Sequence, residues 1–157
     1  MADIFTQIDI QLVFAVKNRQ CLIHKSWKEE LYRYITGIVQ NHSHKMLRIN
    51  GMPDHIHLFL GYNPNQLIPT LLNEIKTSSN QFINSKKFTR HKFSWQNGYG
   101  AFSYSRSQRD SVIKYIENQE EHHKKKTFRE EYIDFLQLFK MEYRDEYLFD
   151  FIDIHSW

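Results

Sequence analysis

Cysteine is nearly absent: Cys21 stands alone among 157 residues, so no internal disulfide braces the chain and no cysteine pair offers a zinc ribbon. Proline and glycine are also scarce, three and five residues, which excludes collagen-like, low-complexity and linker-rich architectures. No run approaches the roughly 18 consecutive apolar residues of a membrane span. The opening Met1-Ala2-Asp3-Ile4 lacks the basic-then-apolar pattern of a secretory leader, so a cytoplasmic location without a membrane partner is expected. No Gly-x-x-x-x-Gly-Lys loop is present, which excludes the usual phosphate cradle of nucleotide-driven enzymes. What the chain does hold is 41% hydrophobic and 15% aromatic residues, enough for one folded domain over 1–157 with a core of its own.

Acid is missing from one long stretch. Between Ile75 and Arg109 there are seven bases and no carboxylate, whereas Thr127 to Trp157 carries three bases and eight acids. The total charge of +3 hides this asymmetry, which suits a chain with one face toward a polyanion and the acidic tail turned away from it. A solvated loop beside a self-pairing tail accounts for the charges equally well.

Ile8, Ile10, Leu12, Phe14 and Val16 recur with a period of two and predict a half-buried strand. Ser26 with Glu29 reads as a capping box ahead of a helix carrying Trp27, Leu31, Ile35 and Ile38. Two short β-like runs, Lys45 to Asn50 and His55 to Gly61, flank the turn residues Gly51-Met52-Pro53-Asp54 and predict a hairpin. Ile68, Leu71, Leu72, Ile75, Phe82 and Ile83 form the stripe of a second helix, and Tyr99 to Ser105 alternates as a fourth strand. The order βαββαβ predicts an α+β fold, a ferredoxin-like split βαβ antiparallel sheet over about 4–105 with both helices on one face and the other face open. A helix over about 107–123 and then a C-terminal helix and acidic tail over about 127–157 follow, the latter opened by a capping box of Thr127 and Glu130.

Two motifs carry chemistry. In Asp54-His55-Ile56-His57-Leu58 the histidines are two apart on a strand, so their rings stand on one face about 6.5 Å apart along the chain, a separation at which both can reach one cation. Two buried histidines bonded to carboxylates or backbone are the plainer alternative. Further on, Tyr115 and Gln119 are four apart on the expected helix, with His122 on the same face, so a phenol and an amide point together.

His55-Ile56-His57, followed in order by Tyr115-x-x-x-Gln119, resembles the single-tyrosine HUH transposases of bacterial insertion sequences, including their REP-associated branch. Gly98-Tyr99-Gly100-Ala101-Phe102, the run Asn118 to Lys124 and then Phe128-Arg129-Glu130-Glu131-Tyr132 are similar too, and the likeness spans about Ile4 to Lys140. The resemblance implies a DNA transposase in which Tyr115 is the nucleophile and His55, His57 and Gln119 hold Mg2+ or Mn2+. It further implies cleavage and rejoining of single-stranded DNA through a 5′-phosphotyrosine, hairpin-bearing DNA as partner, and a homodimer whose subunits can share active sites. His122 is a rival ligand, since imidazole binds metals more commonly than an amide does. His123 to Lys126 suit a helix C-terminus or backbone phosphates.

Lys76, Lys86, Lys87, Arg90 and Lys92, interleaved with Phe88, Phe93 and Trp95, offer phosphate contacts beside rings on which unpaired bases can stack, with some of those rings expected in the core instead. Two other classes of function remain open at this point. One is a nonenzymatic or domesticated single-stranded nucleic-acid-binding module of the same fold, and the other is a small metal-binding protein.

Overall fold

The computed structural model describes residues 2–154. Strands β1 (Asp9–Ala15), β2 (Lys45–Met52), β3 (His55–Gly61) and β4 (Gly100–Tyr104) form one sheet in the order β2-β3-β1-β4, with every neighbouring pair antiparallel. Helix α1 (Lys25–Asn41) connects β1 to β2 and α2 (Ile68–Lys86) connects β3 to β4, which is the expected split βαβ order.

Alternation along the strands decides which residues meet these helices. Ile10, Leu12 and Phe14 of β1 and Ile56, Leu58 and Leu60 of β3 pack against Trp27, Leu31, Ile35 and Val39 of α1 and Leu71, Leu72 and Ile75 of α2. Each such side chain contributes about 1.5–3 kcal/mol by leaving water, so this layer is the main source of stability. The expected Ser26 cap is displaced by two residues. His24 is the N-cap, its Nδ1 accepting from the Ser26 N–H at 3.0 Å, and the Ser26 hydroxyl is drawn to the same nitrogen at 2.9 Å.

The second sheet face is covered, not open. Helices α3 (Arg109–Glu117), α4 (Gln119–His123) and α5 (Phe128–Leu138) lie over it, so all seven residues of β1 are buried. Phe128, Tyr132, Phe135 and Leu136 of α5 pack on Val13, Ala15 and Phe102, while Val112 and Ile116 of α3 cover Phe59. The acidic tail, expected to turn away, lies on this same side. Phe149 is buried against Phe128 and Tyr132, and the Gln96 amide exchanges two hydrogen bonds with the Asp150 backbone, at 2.7 and 2.8 Å. Burial of tail aromatics sets its course, while Glu142, Asp145, Glu146 and Asp150 remain exposed. The end of the expected C-terminal segment, 155–157, lies outside the described residues.

The helix expected over 107–123 is broken. It begins with a 3-10 turn at Arg106–Gln108, and α3 stops at Glu117 because Asn50 of β2 donates its amide to the Ile116 and Glu117 carbonyls at 2.9 and 3.2 Å. Those terminal carbonyls are thereby satisfied and the chain bends at Asn118 before α4. The capping box opening α5 forms as expected, Thr127 Oγ1 accepting from the Glu130 N–H and Glu130 Oε1 from the Thr127 N–H. In the hairpin, Gly51 faces Ile56, and a Cβ there would lie 2.3 Å from the His55 carbonyl oxygen, so only glycine lets β2 approach the histidine strand this closely.

Arg109, the first residue of α3, anchors that helix to the sheet. Its Nε and Nη2 donate to the two oxygens of Asp9 at 2.9 and 2.7 Å, and the Asp9 side chain is fully buried. The Arg109 hydrogen bond outweighs burial and holds the Asp9 carboxyl below its ordinary value of 3.8. A depressed carboxylate contributes stability that is present above the unfolded value and lost as pH falls through the folded one. Arg109→Met is therefore expected to cost about 2 kcal/mol at pH 7 in urea unfolding. The difference from the parent protein should shrink below about pH 4, and an unchanged difference at pH 2.5 would show that the pair does not act through Asp9 ionisation.

Candidate active site

His55 and His57 project from β3 onto the face covered by α3, α4 and α5, both fully buried. Each is held from behind by its Nδ1: Asp54 Oδ1 lies 2.7 Å from His55 Nδ1, and Gln11 Nε2 lies 2.8 Å from His57 Nδ1. Gln11 is itself fixed by the Tyr104 hydroxyl, which donates to its Oε1 at 2.7 Å. Both Nε2 atoms therefore face inward, and Phe128 stacks on the His55 ring at 3.8 Å between centroids, locking its plane.

What the Nε2 atoms face is Glu131. Its Oε1 lies 3.0 Å from His57 Nε2 and 3.2 Å from His55 Nε2, and the three ligand atoms are all within 4.8 Å of one another. Sequence reasoning placed this residue in the similar run Phe128 to Tyr132 but gave it no role in the site. A signal existed: Glu131 occupies an apolar stripe position of α5, three residues after Phe128 and four before Phe135, where an unpaired carboxylate is costly.

Tyr115 and Gln119, although on separate helices, come together here. The Tyr115 hydroxyl donates to Glu131 Oε2, Gln119 Nε2 donates to the same oxygen at 3.2 Å, and Gln119 Oε1 lies 3.3 Å from His55 Nε2. Tyr115 thus meets the histidines of its own chain, its ring 6.3 Å from that of His57. His122 is more remote, partly exposed and 3.5 Å from Glu131 Oε2. His123, expected near phosphates, is turned inward with a side chain only 3% exposed. Its Nε2 lies 3.2 Å from Glu131 Oε1 but is not aligned for a hydrogen bond. Lys124 and Lys126 are committed to Glu121 and Asp134.

The electrostatics follow from burial and this one carboxylate. Burial pushes the His55 imidazole down, but Asp54 and Glu131 overcome it and bring it up to about 9; for His57 burial wins and the ring is lowered. Burial would raise Glu131, yet His57, His123 and His55 hold it well below the usual carboxylate range. Burial, and then the Glu131 charge, drive the Tyr115 phenol above its ordinary value, so the hydroxyl keeps its proton. The donor set fits a divalent cation: two inward imidazole nitrogens, a carboxylate oxygen and an amide oxygen, with a fifth buried donor, His123 Nε2, lacking an aligned partner.

The expected base-stacking surface is not formed as read. Trp95 is buried, donates its indole N–H to Ser79 Oγ at 2.8 Å and meets Phe14 and Phe93 edge-on, and Phe93 is fully buried as well. Neither ring has a face for a base, because the loop after α2 closes the α1/α2 core. Lys76 is spent on structure too, its Nζ donating to the carbonyls of Gln96 and Gly98 at 2.9 and 2.7 Å, with burial lowering it to about 8. Lys86, Lys87, Arg90 and Lys92 are exposed. They belong to the α1/α2 layer, where Phe88 stacks on Trp27 at 5.1 Å, across the sheet from His55 and His57.

A model of the family described as "Transposase IS200 like" matches residues 4–119. The ISDra2 transposase TnpA of Deinococcus radiodurans is 25% identical over 118 residues, covering 72% of this chain and 84% of that protein. Two solved structures share the fold. A putative transposase from Deinococcus radiodurans superposes with a TM-score of 0.60 at 23% identity, over 76% of this chain and 95% of the other. A REP-associated tyrosine transposase bound to a REP hairpin superposes with a TM-score of 0.59 at 12% identity, over 78% and 73%. The match takes in all four strands, both core helices, the whole tyrosine helix α3 and Gln119, and on that ground the chain belongs to the IS200-like transposase family.

Proposed function

We propose that this protein cleaves and rejoins single-stranded DNA, with Tyr115 as nucleophile and a divalent cation, Mg2+ or Mn2+, held by His55, His57 and Gln119. The observation that carries the reading is that the Tyr115 hydroxyl and the Nε2 atoms of both histidines meet on one buried carboxylate within a single chain. A bound divalent cation supplies Lewis acidity, drawing charge from the scissile phosphate and favouring the tyrosinate. The chain's own residues do the rest. Asp54 and Gln11 keep the imidazoles facing inward, and Phe128 holds the His55 plane. The α3 anchor at Arg109 and the Asn50 clamp at its other end fix where Tyr115 stands.

In the reaction the Tyr115 Oη–P bond forms as the P–O3′ bond breaks, and the 3′ oxygen leaves with a proton as a hydroxyl. The phosphodiester is exchanged for a phosphotyrosine and never lost to water, so the reverse attack by a 3′ hydroxyl reseals the strand without a nucleotide. A hairpin-bearing single strand is the proposed partner, in keeping with the REP hairpin held by the similar transposase. The exposed Lys86, Lys87, Arg90 and Lys92 would then hold flanking phosphates and not the scissile one. A homodimer in which each copy keeps Tyr115 beside its own histidines is part of the same proposal, checked by the mass of the free protein in solution. No helix among the described residues is long and apolar enough to cross a membrane, and action on cytoplasmic DNA is proposed.

The test is direct. Protein, Mn2+ and a hairpin-bearing single strand should give a protein–DNA adduct that survives denaturant; binding without an adduct would favour the nonenzymatic nucleic-acid-binding module.

A further inference from the structure

Glu131 is the most heavily engaged side chain of the site, and nothing in the two motifs accounts for it. Its side chain is 1% exposed, and its two oxygens face different partners. Around Oε1 stand the Nε2 atoms of His57, His55 and His123, at 3.0, 3.2 and 3.2 Å. Around Oε2 stand the Tyr115 hydroxyl and the Gln119 amide nitrogen, the latter at 3.2 Å. A carboxylate placed only for stability needs no such division.

We infer that Glu131 is a ligand of the divalent cation through Oε1 and the positioning residue of Tyr115 through Oε2, so that one carboxylate sets the nucleophile against the metal. The inference rests on the function proposed above. Neighbouring donors around a six-coordinate cation with bonds of about 2.1 Å stand roughly 3.0 Å apart, which is the spacing of Oε1 from both imidazoles. Mg2+ and Mn2+ are oxygen-preferring ions, and a set of two imidazoles and one amide lacks the anionic oxygen they favour; Glu131 supplies it. The residue is also rigid. It sits in the first turn of α5, between Phe128, stacked on His55, and Tyr132, buried against Phe149. The Gln119 amide nitrogen then steadies the oxygen that holds the phenol.

The measurement is Mn2+ binding to the full chain without DNA, by titration calorimetry, for the parent protein, Glu131→Gln and Tyr115→Phe. Glu131→Gln is expected to weaken Mn2+ by about tenfold or more, while Tyr115→Phe stays within about twofold. Affinity unchanged in Glu131→Gln makes the residue merely structural, and tighter binding makes it an occupant that the metal displaces; either overturns the inference, as does a parent protein that binds no Mn2+. Because a buried substitution can prevent folding, the second measurement uses the parent protein. Crystals soaked in Mn2+ should show an anomalous peak about 2.0–2.3 Å from Glu131 Oε1, and a peak held by the histidines with Glu131 beyond 3 Å overturns the inference. The adduct assay separates the two readings. An adduct with Mn2+ held apart from Glu131 defeats only this inference, and Mn2+ on Glu131 with no adduct defeats only the proposed nucleophile chemistry.

Discussion

Tyr115→Phe is expected to form no denaturant-resistant adduct and to lose at least about 10³-fold in strand cleavage, because the substitution removes the attacking oxygen and nothing else. Folding should survive. Glu131 keeps His57 at 3.0 Å and Gln119 at 3.2 Å as partners, and the ring keeps its edge contacts with His57 and Phe135. Losing one hydrogen bond to a carboxylate costs about 1–2 kcal/mol, visible as a lower urea midpoint. DNA affinity, read by fluorescence anisotropy, should stay close to that of the parent protein, since the phenol lies in the site and not among the exposed bases. An adduct in this variant would move the nucleophile to another tyrosine.

His57→Asn is expected to lower Mn2+-dependent cleavage by about 10²-fold or more, through loss of one inward donor. This position gives a cleaner test than His55. His55 is stacked face-on with Phe128 and bonded to Asp54, so truncating it disturbs the packing of α5 along with the site. At His57 a shorter polar side chain still offers Gln11 a partner, which limits the penalty of a buried unpaired amide. Calorimetric Mn2+ affinity measured beside cleavage separates loss of metal from loss of fold, and thermal melts without metal complete the comparison. Cleavage at the parent rate would remove His57 from the metal site.

Much of this was legible in the sequence because local periodicity carries it. The alternation that sends Ile56, Leu58 and Leu60 to α1 and α2 necessarily sends His55 and His57 the other way, and both do face that way. The helical stripes of α1 and α2 and the Thr127 cap of α5 follow from residue spacing alone. Charge misled where burial competes with it. A basic aromatic loop looked like a nucleic-acid platform, but Phe93 and Trp95 are worth more inside the core than against a base, and the acidic tail follows its phenylalanines onto the sheet.

The βαββαβ order and the common face of His55 and His57 follow from the sequence alone, because each rests on periodicity within single elements. Packing between distant segments covers the far sheet face, ends α3 at the Asn50 clamp, and lets Glu131 bind the two motifs into one site. These outcomes depend on contacts between residues far apart in the chain: 66 positions separate Asn50 from Ile116, and 74 separate His57 from Glu131. Such contacts leave no periodic trace. They arise because a covered sheet face must satisfy every polar group it buries, and a carboxylate from α5 was within reach of the histidines once that face closed.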